Sequence, residues 1–336
     1  WGEATVKLAG KKVKVNLFCA RMSYSCAPYV IAYWRQNLES FLDAIIHTLN
    51  YFGGVPRSMI FDNARVAVKS GFGAHAAAQD DYSKLAAHYG FQPVFCNPAS
   101  GNEKGLVENL VGYIRRNVCV PLPQVDSLED LNTKLLEQCA KYMNHKIDGR
   151  SQKVGQMLAE DQAHLHPLPK YVLDISKKAY PKVNRYSTVL FDTNYYSVPC
   201  KYRGKGTTVK AYPNRVEIWI NGLLVATHDR CMGRKQESLD LRHYLPILER
   251  KGRAIRYARP VLNAVPAEFL NWMEKQHLNS KQMVELLEQC LTDGYLAVMQ
   301  RDLPNPDTSI AKNDVPVLSV DLSQYDKLYE RKGAAS

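Results

Sequence analysis

Two acidic residues stand where chemistry gathers. Asp62 closes the short apolar run Ser58-Met59-Ile60-Phe61 and is followed by Asn63. That run reads as a strand, and in an open α/β sheet catalytic groups collect at the C-terminal strand edge. Glu108 lies in the segment from Asn97-Pro98 to Asn109, flanked by Leu106, Val107, Leu110 and Val111. This places it at the margin of a helix's apolar stripe, facing a cleft. A carboxylate from a strand end and another from a helix offer oxygen donors to hard divalent cations. Two such ions about 3.5–4 Å apart activate a nucleophile and stabilise a leaving 3′-oxygen, as phosphodiester chemistry requires. Taken singly, the same residues also read as a turn or cap aspartate and as a solvated glutamate paired with Lys104 four positions earlier.

The elements that must position them follow from periodicity. Residues 4–8 and 13–20 are strand-like around a short polar turn at Ala9-Gly10-Lys11-Lys12, and Tyr29–Tyr33 adds a third strand. Leu38, Phe41, Leu42, Ile45, Ile46 and Leu49 repeat at helical spacing, and Gly53-Gly54 with Pro56 ends that helix. Further helices are expected over 80–89, closed by Gly90, over about 103–117, and over about 127–144, where Ser127 and Asp130 form a capping-box start. A strand is expected over Gln92–Cys96. Strands and helices in this order predict a mixed α/β layer structure over 1–150.

Beyond it, 151–169 reads as a linker ending in His166-Pro167-Leu168-Pro169. Residues 170–232 are rich in Tyr, Val and Thr with recurrent turn signals, the strongest being Asn221-Gly222 between two apolar runs. A small antiparallel β-barrel is expected there. Residues 233–303 return to helix, with Leu270, Trp272, Met273 and Met283, Leu286, Leu287 at core spacing, and 304–336 reads as an extended tail.

Composition narrows the class. The chain has 336 residues, a formal net charge of +11 and no apolar run long enough to cross a bilayer. The start, Trp1-Gly2-Glu3, shows no secretory leader pattern. Eight scattered cysteines without a Cys-x-x-Cys pair predict the reduced thiols of a cytoplasmic protein rather than disulfides or a zinc site. Between 201 and 259 there are fourteen Lys or Arg against five Asp or Glu. A polyanion is the natural partner of such a stretch, nucleic acid above all, although a merely solvated basic surface has the same composition. Lys201, Arg203, Lys205, Lys210 and Arg215 surround Tyr202 and Tyr212, a mixture suited to phosphate contact. Arg250, Lys251, Arg253 and Arg256 form a second basic segment, and Lys104 and Arg115 share a helix face with Glu108.

Phe61-Asp62-Asn63 and the segment Asn97-Pro98 through Gly105-Leu106-Val107-Glu108 resemble the second and third acidic motifs of the transposase and retroviral integrase superfamily, with its ribonuclease H-like fold. More narrowly, Trp1-Gly2-Glu3-Ala4, Phe52-Gly53-Gly54-Val55-Pro56, Phe61-Asp62-Asn63, His243-Tyr244-Leu245-Pro246 and Asp321-Leu322-Ser323-Gln324-Tyr325-Asp326 resemble IstA-type transposases of bacterial insertion sequences, family twenty-one. The resemblance implies a DDE-type enzyme that cleaves transposon ends and joins them to target DNA. It implies Asp62 and Glu108 as metal ligands and Mg²⁺ or Mn²⁺ as cofactor. As partners it implies double-stranded DNA, further copies of the chain on paired ends, and an ATPase of the IstB type. In that family the first catalytic Asp directly precedes the Trp-Gly-Glu motif. The expectation is therefore a fragment of a longer protein that holds metal weakly and neither cleaves nor joins DNA by itself. Two alternatives remain: a non-catalytic DNA-binding or assembly module on a ribonuclease H-like scaffold, and a ribonuclease H-like nuclease without transposition.

Overall fold

The structure, a computed structural model, describes residues 1–61, 68–70, 77–78, 80–95, 110–117, 120–251, 255–276 and 278–301. The chain divides into two compact units, Trp1–His243 and Tyr244–Ser336.

The first unit opens with an antiparallel meander of β1 (Gly2–Leu8), β2 (Lys11–Arg21) and β3 (Pro28–Tyr33). Leu8 pairs with Lys11 across Ala9 and Gly10, whose φ values of 45° and 80° give the primed turn that matches strand twist. Alternation along the strands then assigns the faces. Val15, Leu17, Cys19, Val30 and Ala32 point one way, to Leu110 and Ile114 of α3 (residues 110–117) and to Leu128, Leu131 and Leu135 of α4 (Leu128–Tyr142). Phe18 and Tyr33 point the other way, to Phe41, Leu42, Ile45 and Leu49 of α1 (Leu38–Phe52). The result is a sheet between two helical layers. Asn37 caps the start of α1 through the Ser40 N–H, and Gly53 at φ 78° closes its end. Ser127 and Asp130 form the expected capping box on α4. Asn132 of α4 seals the outer strand: its Oδ1 accepts from the Ala32 N–H at 2.7 Å and its Nδ2 donates to the Ala32 carbonyl at 3.3 Å.

A second, parallel pair is made by β4 (Ser58–Phe61) and β7 (Gln92–Phe95), in register from Ser58↔Gln92 to Phe61↔Phe95. The helix α2 (Asp80–Tyr89) lies between them in the chain and ends at Gly90, φ 80°. The short strands β5 (Val68–Ser70) and β6 (Ala77–Ala78) pair with each other, and β8 (Gln124–Val125) joins β1 in parallel.

The stretch expected to be a linker contains a helix, α5 (Val154–Ala163), whose Val154 and Met157 pack with Ala27, Tyr29 and Phe52. Only those two positions of α5 are buried, which leaves a weak periodic signal. After it come β9 (Lys177–Ala179), β10 (Thr188–Phe191), β11 (Asn194–Ser197), β12 (Thr208–Ala211), β13 (Arg215–Ile220), β14 (Leu223–Asp229) and β15 (Glu237–Ser238). Where a single antiparallel barrel was expected, the strands form two sheets, β10-β11-β15 and β14-β13-β12-β9, with β15 parallel to β11. They share one core of Val189, Phe191, Tyr196, Val209, Val216, Ile218 and neighbours. The Asn221-Gly222 hairpin forms as expected, with φ 49° and 78° between Ile220 and Leu223.

The second unit is helical: α6 (Leu245–Arg250), α7 (Arg259–Ala264), α8 (Ala267–Lys275), α9 (Ser280–Asp293) and α10 (Tyr295–Met299). Its buried residues include Leu248, Val261, Phe269, Met273, Leu286 and Leu287, and α6 packs against α9. The tail expected from 304 onward lies outside the described residues. Among the described residues no helix is long and apolar enough to cross a membrane.

Candidate active edge and nucleic-acid interface

The end of β4 is fixed by aromatic packing. Phe61 sits 5.5 Å from Phe41 and 5.3 Å from Tyr82 between ring centroids, and Phe41 lies 5.6 Å from Tyr82. Strand β4, helix α1 and helix α2 therefore converge on the residue that immediately precedes Asp62. The parallel register brings the ends of β4 and β7 level, at Phe61 and Phe95. Asp62, Glu108, Lys104 and Arg253 lie outside the described residues. Leu110, two positions after Glu108 in the sequence, and Ile114 anchor α3 on β1 and β2. Arg115, exposed on α3, donates from Nε to the Glu3 carbonyl of β1 at 2.9 Å. Among the described residues no group of three His, Cys, Asp or Glu side chains is arranged to hold a metal ion. The six described cysteines are all free thiols, and burial pushes Cys19 up to about 12 and Cys139 to about 11, which makes them poor nucleophiles.

The basic side chains of the β-rich region divide into two sorts. Lys210, half-buried, makes an ion pair with Asp174 at 3.0 Å and stands 5.2 Å from the Trp219 ring; Lys178 reaches the same carboxylate at 3.3 Å. Burial alone would raise Asp174, but hydrogen bonds from Ser176, Lys210 and Lys178 outweigh it and hold the carboxyl well below its usual range. Arg215 bonds Glu217 at 3.0 Å and covers the Tyr212 ring. Lys201, Arg203 and Lys205 are exposed and have no carboxylate partner among the described residues, although Lys201 leans over Tyr202. They share their edge with a second loop. Val183 N–H donates to the Lys205 carbonyl at 2.9 Å, Gly204 N–H to the Val183 carbonyl at 3.0 Å, and Thr207 N–H to the Pro181 carbonyl at 3.0 Å. Lys182 and Arg185, exposed on that loop, thus join the three cations. The sequence carries a signal for this grouping that the reading of single residues missed: Asp192 is the one acidic residue from 175 to 216. In the second unit Arg250 and Lys251 are exposed, while Arg256 is paired with Glu274 at 3.0 Å.

The Mu transposase C-terminal domain family matches residues 168–240, the span of the two small sheets. Over 308 residues the chain is 31% identical to a transposase for insertion sequences IS1326/IS1353 of Pseudomonas aeruginosa, covering 89% of this chain and 61% of that protein. A transposase of Aminobacter aminovorans is 31% identical over 312 residues, covering 89% and 60%. The transposase for insertion sequence element IS21 of Pseudomonas aeruginosa is 30% identical over 250 residues, covering 74% and 64%. This chain is a homologue of the IS21-type transposases. It spans between 60% and 64% of the length of these relatives. A chain of a simian T-cell lymphotropic virus intasome in complex with a PP2A regulatory subunit matches at 13% identity and a TM-score of 0.34, covering 69% and 78%, too weak a likeness to carry an argument.

In this transposase homologue the β-rich region is latched to the α/β layer by a buried arginine. Arg230, its side chain 3% exposed, reaches Glu39 of α1 at 3.4 Å and Asp192 at 3.6 Å, and donates to the Tyr212 carbonyl at 3.0 Å. Arg35 adds an ion pair to Asp192 at 3.4 Å and a hydrogen bond to the Met232 carbonyl. The β-rich region also holds two buried histidines, His228 and His243. Ser197 Oγ accepts from the Asp240 N–H at 2.8 Å and forms a hydrogen bond with His243 Nδ1, also 2.8 Å away. His228 donates from Nε2 to the Ser197 carbonyl at 2.7 Å, and its Nδ1 faces Ser238 Oγ at 3.0 Å. Burial favours the neutral form of both rings, lowering His228 and bringing His243 down to about 4. Ser197 is wholly buried, so this Ser-His pair is a structural contact and not a nucleophile.

Proposed function

We propose that the protein carrying this chain is a DDE-type transposase that cleaves insertion-sequence ends and joins them to target DNA. The homology over 89% of the chain carries this reading. The layered α/β unit supports a ribonuclease H-like core, since an antiparallel β1–β2–β3 meander is followed by α1 and a β4–α2–β7 parallel unit. On this reading Asp62, one residue beyond the paired end of β4, and Glu108, just ahead of the anchored α3, supply carboxylate oxygens, the donors that Mg²⁺ or Mn²⁺ prefers. When bound, the metal neutralises charge at the scissile phosphodiester and eases deprotonation of the attacking hydroxyl. The chain's own residues hold the DNA: Lys201, Arg203 and Lys205, with Lys182 and Arg185 beside them, neutralise backbone phosphates; Arg115 on α3 and, in the second unit, Arg250 and Lys251 are separate candidates for phosphate contact. Pairing of two element ends by further copies, and an ATPase partner of the IstB type, belong to the same reading.

The test is end cleavage and joining, by the longer protein that carries this chain, on oligonucleotides carrying the element's termini, in Mg²⁺ and in Mn²⁺. Asp62→Asn and Glu108→Gln are expected to abolish both steps while duplex binding persists. Joining at the unaltered rate by either variant would overturn the assignment. DNA binding without any joining by the unaltered protein would favour a non-catalytic assembly module instead.

A further inference from the structure

We propose that the loop between β9 and β10, residues 180–186, is a stacking site for unpaired bases of DNA, with Tyr180 and Tyr186 as its platforms. The inference rests on the reading that this edge holds DNA. Tyr180 is 72% exposed and Tyr186 63% exposed, whereas Tyr202 and Tyr212, the aromatics that sequence spacing first singles out, are half-buried and covered by Lys201 and Arg215.

The rings stand on a stiff support. Asn184 Oδ1 accepts from the N–H groups of Tyr186 at 2.9 Å and Thr188 at 3.0 Å, and the Ser187 N–H returns to the Asn184 carbonyl at 3.1 Å. Pro181 fixes its own φ, and its carbonyl takes both the N–H and the Oγ of Thr207, at 3.0 and 2.7 Å. A platform ordered before binding loses little conformational entropy when a base settles on it. Arg185 lies with its guanidinium carbon 4.8 Å from the Tyr186 centroid, which puts a cation against the ring.

The surroundings select the occupant. Residues 175–191 contain Lys177, Lys178, Lys182 and Arg185 and no acidic residue, and Lys201, Arg203 and Lys205 share the edge. An apolar protein surface gains nothing from this charge, whereas a nucleic-acid strand supplies a phosphate at every step and a π-face at every base. Bases within a duplex are already stacked, so the faces on offer are those of an overhang, a gap or a distorted junction. The two tyrosines are six residues apart, at most about 20 Å of extended chain, a reach of a few nucleotides.

The experiment uses the full chain and two fluorescent oligonucleotides, a duplex with a short overhang carrying 2-aminopurine and the blunt duplex with 2-aminopurine paired. The overhang should bind more tightly and its fluorescence should change on binding. Tyr180→Ala and Tyr186→Ala should each weaken overhang binding by roughly 5- to 100-fold, leave blunt-duplex binding and its salt dependence as they were, and be rescued by Tyr→Phe at the same position. Both side chains are exposed, and unaltered melting temperatures will show that the variants fold. Equal affinity for overhang and blunt duplex, or alanine variants that bind the overhang like the parent, would overturn the stacking site alone. Loss of all salt-sensitive DNA binding by the parent protein would overturn the DNA-holding edge with it.

Discussion

The α/β layer and the β-rich region solve the positioning of functional groups in different ways. In the first, the described end of β4, at Phe61, is fixed by the buried rings of Phe41 and Tyr82. In the second, the cations stand on loops, and the loops are fixed by main-chain hydrogen bonds to one another, as between Val183 and Lys205. The first arrangement suits chemistry, where small displacements are costly. The second suits holding a polyanion, where many graded contacts add up. Loss of one strand-end carboxylate should therefore be all-or-none, and loss of one loop cation should be gradual.

The largest stability change is expected from cutting the tie between the regions. Arg230→Ala leaves Glu39 buried without its cation, and denaturant unfolding should show a loss of about 3 kcal/mol or more. If the loss is below about 1 kcal/mol, the two regions are not joined through this latch. Next comes acid. Burial lowers His243 to about 4 from 6.5, so the unfolded chain takes up a proton that the folded chain refuses. Stability from this group is complete above pH 6.5 and falls as pH drops towards 4, by about 3 kcal/mol in all. Every described histidine of the α/β layer, namely His47, His88, His145, His164 and His166, is exposed. Hydrogen exchange at pH 7 and pH 4.5 should thus show strands β10–β14 loosening before β1–β3. The reverse order would show that the histidine pair does not set the acid response. The smallest effects belong to the cations. Lys201→Ala, Arg203→Ala and Lys205→Ala should each reduce the slope of log affinity against log salt by about 1. Lys210→Ala, already committed to Asp174, should change it less, and an equal change would erase the division between paired and unpaired cations.

Much of this was legible in the sequence because the signals are local. The Ala9-Gly10 and Asn221-Gly222 turns, the Ser127–Asp130 capping box and the Gly53 helix stop each lie within a few residues and act through backbone geometry. The features that escaped depend on distance. Glu39 and Arg230 are brought together only by the fold, as are Lys182 and Gly206, whose bridge groups the exposed cations. Helix α5 buries too few residues to show a period, and the two-residue strand β15 has no pattern by which to be read.

The most direct test compares the regions in one joining assay on the longer protein that carries this chain. Asp62→Asn should give no joining at any DNA concentration or salt. The combined Lys201→Ala, Arg203→Ala, Lys205→Ala variant should be slow at moderate salt and recover the parent's rate when low salt or excess DNA restores binding. Joining by Asp62→Asn, or a triple variant that stays inactive while fully bound to DNA, would contradict the separation of a chemical edge from a holding edge.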